Sequence, residues 1–176
     1  GWPYLLASAQ LRPLSYRVRK LFLLLASCFS LVVFADSMPE YDMKAIFTYN
    51  FAAYTEWPES SRGNFNVCTL NEEDVGQALR KFEGKSLHGR RLVIARLSSL
   101  GAINQCQVLF IGERESSNLP RILSQLGDAS VMTVSDVPAL SSVCMLLSLE
   151  GTRLVFDVNL EPCRQAKLKP SSTLLR

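Results

Sequence analysis

The sequence predicts an α/β fold: a single three-layer domain with a mostly parallel sheet and a C-terminal antiparallel hairpin. Between residues 40 and 176, apolar runs of strand length alternate with segments of helical periodicity. Strands that alternate with helices form parallel sheets covered by helices. Near the C-terminus, two apolar runs flank Glu150-Gly151, as the arms of a hairpin do. No repeat or linker divides residues 40–176 into two domains.

The first helix is predicted within residues 41–58. Apolar side chains recur there at spacings of three to four, which is one stripe of an amphipathic helix: Met43, Ile46, Phe47, Phe51, Tyr54 and Trp57. Pro39 can occupy the first turn. Pro58 requires the helix to end at or before Trp57.

The remaining elements follow from the same two kinds of pattern. We expect two further helices, at residues 72–82 with Asn71 as N-cap and at residues 119–126 before Gly127. The segment 91–97 is apolar on both faces and is expected to be a covered strand. The other predicted strands are residues 65–70, 108–111 and 129–134 and the hairpin arms 143–149 and 153–159.

Residues 1–35 have the composition of a secretory signal, which leaves residues 40–176 as the domain. Four basic residues precede an apolar run from residue 21 to residue 35, and no acidic residue occurs before Asp36. The run is shorter than the roughly 20 apolar residues of a membrane span. Three interpretations stay open: cleavage near Ala35, lipidation at Cys28 within a lipobox-like segment, and an uncleaved anchor.

The charge gives no support for nucleic-acid binding. The chain has a net charge of +3, but four of its 19 basic residues and none of its 16 acidic residues lie before Asp36. The rest of the chain therefore has 15 basic and 16 acidic residues. It contains no basic run with interleaved aromatic residues.

Four cysteines lie outside the signal: Cys68, Cys106, Cys144 and Cys163. An even number in an exported chain indicates two disulfides, with three possible pairings. Cys68 and Cys106 lie in or beside predicted strands, and they can reach each other if those strands are close in the sheet. Pairing of Cys144 with Cys163 requires the segment after the hairpin to fold back over the hairpin base. Two reduced, buried thiols are the alternative.

Residues that could support catalysis are few, and we expect no enzyme activity, no metal site and no cofactor. His88 is the only histidine, and it lies in a polar, glycine-rich turn where we expect it to be exposed. Gly84-Lys85-Ser86 is similar to the end of a phosphate-binding loop, but Leu79 occupies the position of the required glycine. No nucleophile elbow and no Cys-x-x-Cys pair occurs.

Several segments of the chain resemble the YfiR family of small periplasmic α/β proteins. The segment YDMKAIFTYNFAAYTEWP, residues 41–58, is similar to the opening of the family. Residues 109–112, 153–160 and 171–175 are similar to an inner strand, the closing strand and the terminal segment, in the same order. The resemblance covers about Tyr41 to Arg176.

The resemblance also bears on the cysteines. Founding members carry a cysteine pair at the places of Cys68 and Cys106, so the resemblance implies this disulfide. Closing a loop of about 40 residues contributes roughly 3–4 kcal/mol in the chain-entropy estimate. Cys144 matches a family cysteine whose partner in those members lies where this chain has Val137.

The resemblance implies a periplasmic repressor. Members of the family hold an inner-membrane diguanylate cyclase inactive through its periplasmic domain, and a peptidoglycan-binding outer-membrane lipoprotein relieves the repression. They form homodimers, and their disulfides couple stability to redox state. The resemblance therefore implies a role in cyclic-di-GMP signalling and biofilm formation. A periplasmic small-molecule sensor is the alternative, with Tyr49, Tyr54 and Trp57 lining a crevice at the open end of the sheet.

The hairpin at residues 143–159 and its exit at residues 160–169 are the candidate partner-binding surface. A regulator needs an exposed patch that combines apolar anchors with charge. Arg164 and Lys167 lie in the exit and are the predicted contact residues. The alternative is a hairpin that only completes the sheet.

Overall fold

A computed structural model describes residues 38–58, 63–138 and 142–175 of the chain. The predicted signal segment, with Cys28, lies outside the described residues. The α-helices are α1 (Glu40–Ala53), α2 (Glu73–Leu79), α3 (Leu119–Leu126) and α4 (Leu160–Gln165). Short 3-10 helices occupy Arg80–Phe82, Leu100–Gln105 and Glu113–Asn118. The strands are β1 (Thr55–Glu56), β2 (Phe65–Leu70), β3 (Ser86–Leu87), β4 (Arg90–Leu97), β5 (Val108–Ile111), β6 (Met132–Ser135), β7 (Met145–Glu150), β8 (Arg153–Val158) and β9 (Lys169–Pro170).

Seven of the strands form one sheet in the order β3-β4-β2-β5-β6-β7-β8. The five inner strands run parallel, and β3 and β8 are antiparallel to their neighbours at the two edges. The short strands β1 and β9 form a separate antiparallel pair. The predicted fold class, a mostly parallel α/β sheet with a C-terminal antiparallel hairpin, is confirmed.

The inner strands bury alternate side chains on opposite faces of the sheet. One face packs against α1 and α2 and includes Phe65, Val67, Val108, Phe110, Met132 and Val134. The other packs against α3 and the 3-10 helix Leu100–Gln105, and includes Leu70, Leu109 and Ile111. The helices thus lie on both faces of the sheet, in three layers.

The fully buried face of helix α1 shares only Phe51 with the stripe that the sequence predicts. Its buried residues are Lys44, Ala45, Thr48, Phe51 and Ala52. The small residues allow the helix backbone to approach its neighbours closely, while the larger Met43, Ile46 and Phe47 lie half-buried at the flanks. The predicted stripe is therefore wrong at its C-terminal end as well, because the helix ends at Ala53 and Tyr54 is 49% exposed.

Three smaller predictions are also wrong. The N-cap of α2 is Glu72, because Asn71 adopts a left-handed backbone conformation (φ 49°) that ends the strand before it. Strand β4 buries only Leu92, since its outer neighbour β3 has two residues and leaves it near the sheet edge. The hairpin loop is Gly151-Thr152 and not Glu150-Gly151, since Glu150 pairs with Arg153.

Candidate functional site

The structure joins Cys68 to Cys106 on the α3 side of the sheet. Their Cα atoms are 5.9 Å apart, and both residues are at most 2% exposed. Cys68 lies in β2, and Cys106 lies in the lead-in to β5, which pairs with β2. Hydrogen bonds hold the same junction: the Gln107 N–H donates to the Asn66 carbonyl (2.8 Å), and the Asn66 N–H donates to Gln107 Oε1 (2.6 Å).

The structure joins Cys144 to Cys163 on the α1 side. Their Cα atoms are 4.9 Å apart, and each residue is 1% exposed. Cys144 precedes β7 and Cys163 lies in α4, so the chain after the hairpin folds back over the hairpin base. Asn159 fixes this return, because its N–H donates to the Cys144 carbonyl (2.9 Å) and its side-chain amide donates to the Val143 carbonyl (2.8 Å).

The second disulfide holds α4 in place; Arg164 lies in the last turn of this helix, and Lys167 lies just beyond its end. The side chains of Arg164 and Lys167 are 75% and 61% exposed. Arg164 pairs with Glu161 at 3.0 Å, and Lys167 lies 3.7 Å from Asp128. Exposed ion pairs of this kind contribute little to stability, so both cations can exchange their partners for those of another protein.

A groove of about 370 Å³ separates α4 from the end of α3. Its floor includes Leu126 and Ala166, and its rim includes Glu161 and Gln165. This groove, together with Arg164 and Lys167, is called the α4 surface below. An apolar floor beside charged residues is the composition of a partner-binding site. Sequence patterns selected the two cations as candidates but did not indicate the groove, because its opposite wall comes from residues 123–133.

The carboxyl ends of the parallel strands form a separate polar region between β2 and β5, where the strand order reverses. Glu115 is buried there, 7% exposed, and accepts hydrogen bonds from the amides of Asn71 (2.5 Å) and Asn118 (2.9 Å). Beside it lies a crevice of about 450 Å³ that Arg121 also lines. Donors and a cation around a crevice can bind a small polar ligand.

At the same carboxyl ends of the strands, Lys44 and Glu72 have shifted pKa values. Burial lowers the pKa of Lys44, but hydrogen bonds to Asp136 (2.6 Å) and Glu40 outweigh it, so the pKa is raised. Burial raises the pKa of Glu72, and the nearby carboxylates of Asp136 and Asp74 add to the rise. A Cβ at position 112 would collide with the Glu72 carboxylate, so a larger residue there would require the Glu72 side chain to move.

The prediction that Tyr49, Tyr54 and Trp57 line this crevice is wrong. Helix α1 runs antiparallel to the inner strands: Lys44, near its start, contacts Asp136 after β6, and Trp57, beyond its end, packs against Phe65 at the start of β2. The three aromatic residues come after the midpoint of α1 in the chain. They therefore lie toward the amino ends of the parallel strands, away from the crevice. Tyr49 instead stacks on Phe82.

His88 has a structural contact that the sequence did not reveal. It is exposed in the two-residue turn between β3 and β4, and its Nε2 lies 2.7 Å from the carbonyl of Ala52, near the end of α1. Within the described residues, no group of three or more metal-binding side chains occurs. Across the same ranges, no helix has the length and apolar character to span a membrane.

The family model for YfiR/HmsC-like proteins matches residues 41–176 of the chain. No curated protein matches the chain. The match covers the whole sheet, both cysteine pairs and the α4 surface. Proteins of this family are periplasmic regulators in diguanylate cyclase signalling. Two buried disulfides fit the oxidising periplasm. The resemblance seen in the sequence is confirmed, and the chain belongs to the YfiR/HmsC-like family.

Proposed function

We propose that the protein represses an inner-membrane diguanylate cyclase by direct contact with the periplasmic domain of the cyclase. The family match over residues 41–176 is the observation that carries this proposal. The function requires a stable frame that presents a contact surface, and it requires no catalytic group. The two disulfides supply the frame, and the exposed α4 surface supplies the contact.

The contact uses charge and apolar burial together. Arg164 and Lys167 are exposed, and so are the carboxylates of Glu161 and Asp128 beside them. In the complex the two cations pair instead with carboxylates of the cyclase domain. The groove beside them takes an apolar side chain of the cyclase, and burial of that side chain supplies most of the binding energy. Charge pairs at the rim mainly set the association rate and the orientation.

Relief of repression requires a competitor in the same compartment. In this proposal a peptidoglycan-binding outer-membrane lipoprotein sequesters the repressor and thereby frees the cyclase. The repressor acts as a homodimer. Its disulfides make its abundance depend on the redox state of the periplasm, because a reduced chain unfolds more often and is then degraded.

Gene deletion tests the repression. Deleting the gene should raise cyclic-di-GMP, increase biofilm and reduce motility, and the full chain should reverse all three. A form without residues 1–35 should fail, because it stays on the wrong side of the membrane. A form in which an unrelated cleavable signal replaces these residues is the matched control and should succeed. Full complementation by the signal-less form would show that the mechanism is wrong.

The interpretation of Cys28 has its own test in the same strain. If the signal is cleaved near Ala35, the Cys28→Ala variant should complement as well as the original chain. If Cys28 is lipidated, the variant should lose its membrane attachment. Mass measurement of the periplasmic protein distinguishes the two.

A small-molecule sensor is the second candidate, and the crevice lined by Asn71, Asn118 and Arg121 is the observation that favours it. In that case the ligand is polar and carries an anionic group that faces Arg121. Native mass spectrometry of protein purified from the periplasm would show an added mass that the Arg121→Ala variant lacks. If neither the original chain nor the variant carries an added mass, the sensor function is excluded and the repressor function remains.

A further inference from the structure

The two edges of the seven-stranded sheet differ in how much backbone they expose. One edge is β3, which has two residues, Ser86 and Leu87. The other is β8, with six residues, Arg153–Val158. Short edge strands protect a sheet from further pairing, whereas a long edge strand offers a row of hydrogen-bonding groups. The β8 edge is therefore the one at which the sheet can be extended.

The pairing of β8 with β7 determines which backbone groups face outward. The Asn159 N–H donates to the Cys144 carbonyl, and hydrogen-bonded residues alternate along an antiparallel pair. Residues 153, 155 and 157 therefore bond to β7, and Leu154, Phe156 and Val158 direct their N–H and C=O groups away from it. Within the described residues, these outward groups have no hydrogen-bond partner.

The side chains of β8 lie on two faces of different character. Arg153 and Asp157 are exposed, with the half-buried Val155 between them on the same face. Leu154 and Phe156 lie on the α1 side, where the Phe156 ring packs against those of Phe47 and Phe51 at 5.7 and 5.0 Å. A groove of about 520 Å³ runs along β8, and residues of both faces of the strand line it together with Phe47, Leu174 and Leu175.

We propose that β8 pairs with β8 of a second copy of the chain, antiparallel, with the two-fold axis at Val155. This register places Arg153 of each copy opposite Asp157 of the other. It places Leu154 opposite Phe156, so that their outward N–H and C=O groups bond across the axis. Two ion pairs and two apolar pairs form at once, and the two sheets become one continuous sheet.

The opposite signs of the two charges favour a second copy as the occupant. Charges on an edge strand usually block pairing, because like charges meet when two identical edges approach. In β8 the positive and negative side chains stand at equal distances on either side of Val155, so the strand is complementary to itself. A partner with an unrelated sequence would have no reason to match this arrangement.

The inference rests on the homodimer that the proposed function includes, but not on the cyclase. A dimer that forms through β8 and does not affect the cyclase would contradict the proposed function alone. A repressor that binds the cyclase and does not pair through β8 would contradict this inference alone.

Disulfide trapping tests the register. The Val155→Cys variant of the exported chain should form a covalent dimer under oxidising conditions, because the two side chains at position 155 face each other across the axis. Ser148→Cys is the matched control, since Ser148 lies opposite Val155 on β7, one strand away from the edge, and should give only monomer. Absence of the covalent dimer with Val155→Cys, or equal trapping with both variants, would overturn the proposal.

A charge exchange tests the interface independently. Arg153→Asp or Asp157→Arg alone should weaken dimerisation about tenfold, measured by analytical ultracentrifugation, because each places like charges opposite each other twice. The double variant should restore the affinity. Thermal melting should confirm that all variants fold, since both positions are exposed. A monomeric original chain, or a dimer that neither single change weakens, would overturn the proposal.

Discussion

The two disulfides cross-link different kinds of structure, although both are fully buried. Cys68–Cys106 joins β2 to the lead-in of its parallel neighbour β5, at a junction that backbone and side-chain hydrogen bonds already hold together. Cys144–Cys163 joins the residue before β7 to α4, a short helix in the segment that follows the hairpin. The first disulfide supports the core, and the second supports the surface.

This difference cannot be read from loop length. The sequence separations of 38 and 19 residues correspond to about 4 and about 3 kcal/mol in the chain-entropy estimate. Doubling a loop changes the estimate by only about 0.6 kcal/mol. The two bonds differ in the kind of unfolding that each prevents. Loss of the first should favour unfolding of the whole domain, and loss of the second should favour local release of α4.

The largest expected effect is loss of the core disulfide. Replacing Cys68 and Cys106 together with Ser should lower the free energy of unfolding by up to about 4 kcal/mol and reduce the amount of protein in the periplasm. Urea unfolding under oxidising conditions measures the change. Peptide mapping that finds both thiols free in the original periplasmic protein would contradict the account, as would equal stability of the two proteins.

Loss of the surface disulfide should have a smaller global effect and a larger local one. Replacing Cys144 and Cys163 together with Ser should cost about 3 kcal/mol or less. Hydrogen exchange should speed up in residues 160–170 before it changes in β2 and β5, because α4 is released while the parallel sheet persists. Uniform acceleration across the domain would show that the two disulfides act alike.

The smallest effect concerns Glu72, at the carboxyl ends of the strands that Cys68–Cys106 joins. Its pKa is raised above 4.5, so the folded state binds the proton more tightly than the unfolded chain does. Stability from this group is therefore greatest at low pH and falls as the pH rises from about 4.5 through the folded-state pKa.

Glu72→Gln should remove this decrease in stability with rising pH. The variant should be more stable than the original chain at pH 7, by less than about 1 kcal/mol, and should show no such gain at pH 4. Thermal melting at the two pH values measures the difference. A variant that is less stable at pH 7 would mean that the Glu72 carboxylate has a partner that compensates for its burial.

The sequence predicted the parallel core well, because its strands are short, apolar and bounded by polar turns. Strands β2 and β5 and helix α3 begin and end where their patterns indicate. The sequence did not predict those features that depend on contacts between residues far apart in the chain. Thr55-Glu56 forms a strand only because Lys169-Pro170 lies beside it, and the buried face of α1 depends on which side chains its neighbours can accept.

The candidate site shows the same limit. Arg164 and Lys167 could be selected because their charge and position near the C-terminus are local properties. The groove beside them and the buried Lys44 could not, since both depend on residues far apart in the chain: Leu126 with Ala166, and Lys44 with Asp136. A lysine within an apolar helix gave no local sign of its partner.

The most direct test of the account is the binding of the purified cyclase periplasmic domain to the α4 surface. The variant that combines Arg164→Glu with Lys167→Glu should fold as the original chain does and bind the domain at least about tenfold more weakly. The variant that combines Arg80→Glu with Arg91→Glu changes the net charge equally at exposed positions elsewhere and should bind normally. Equal binding by all three proteins would show that the α4 surface is not the site of repression.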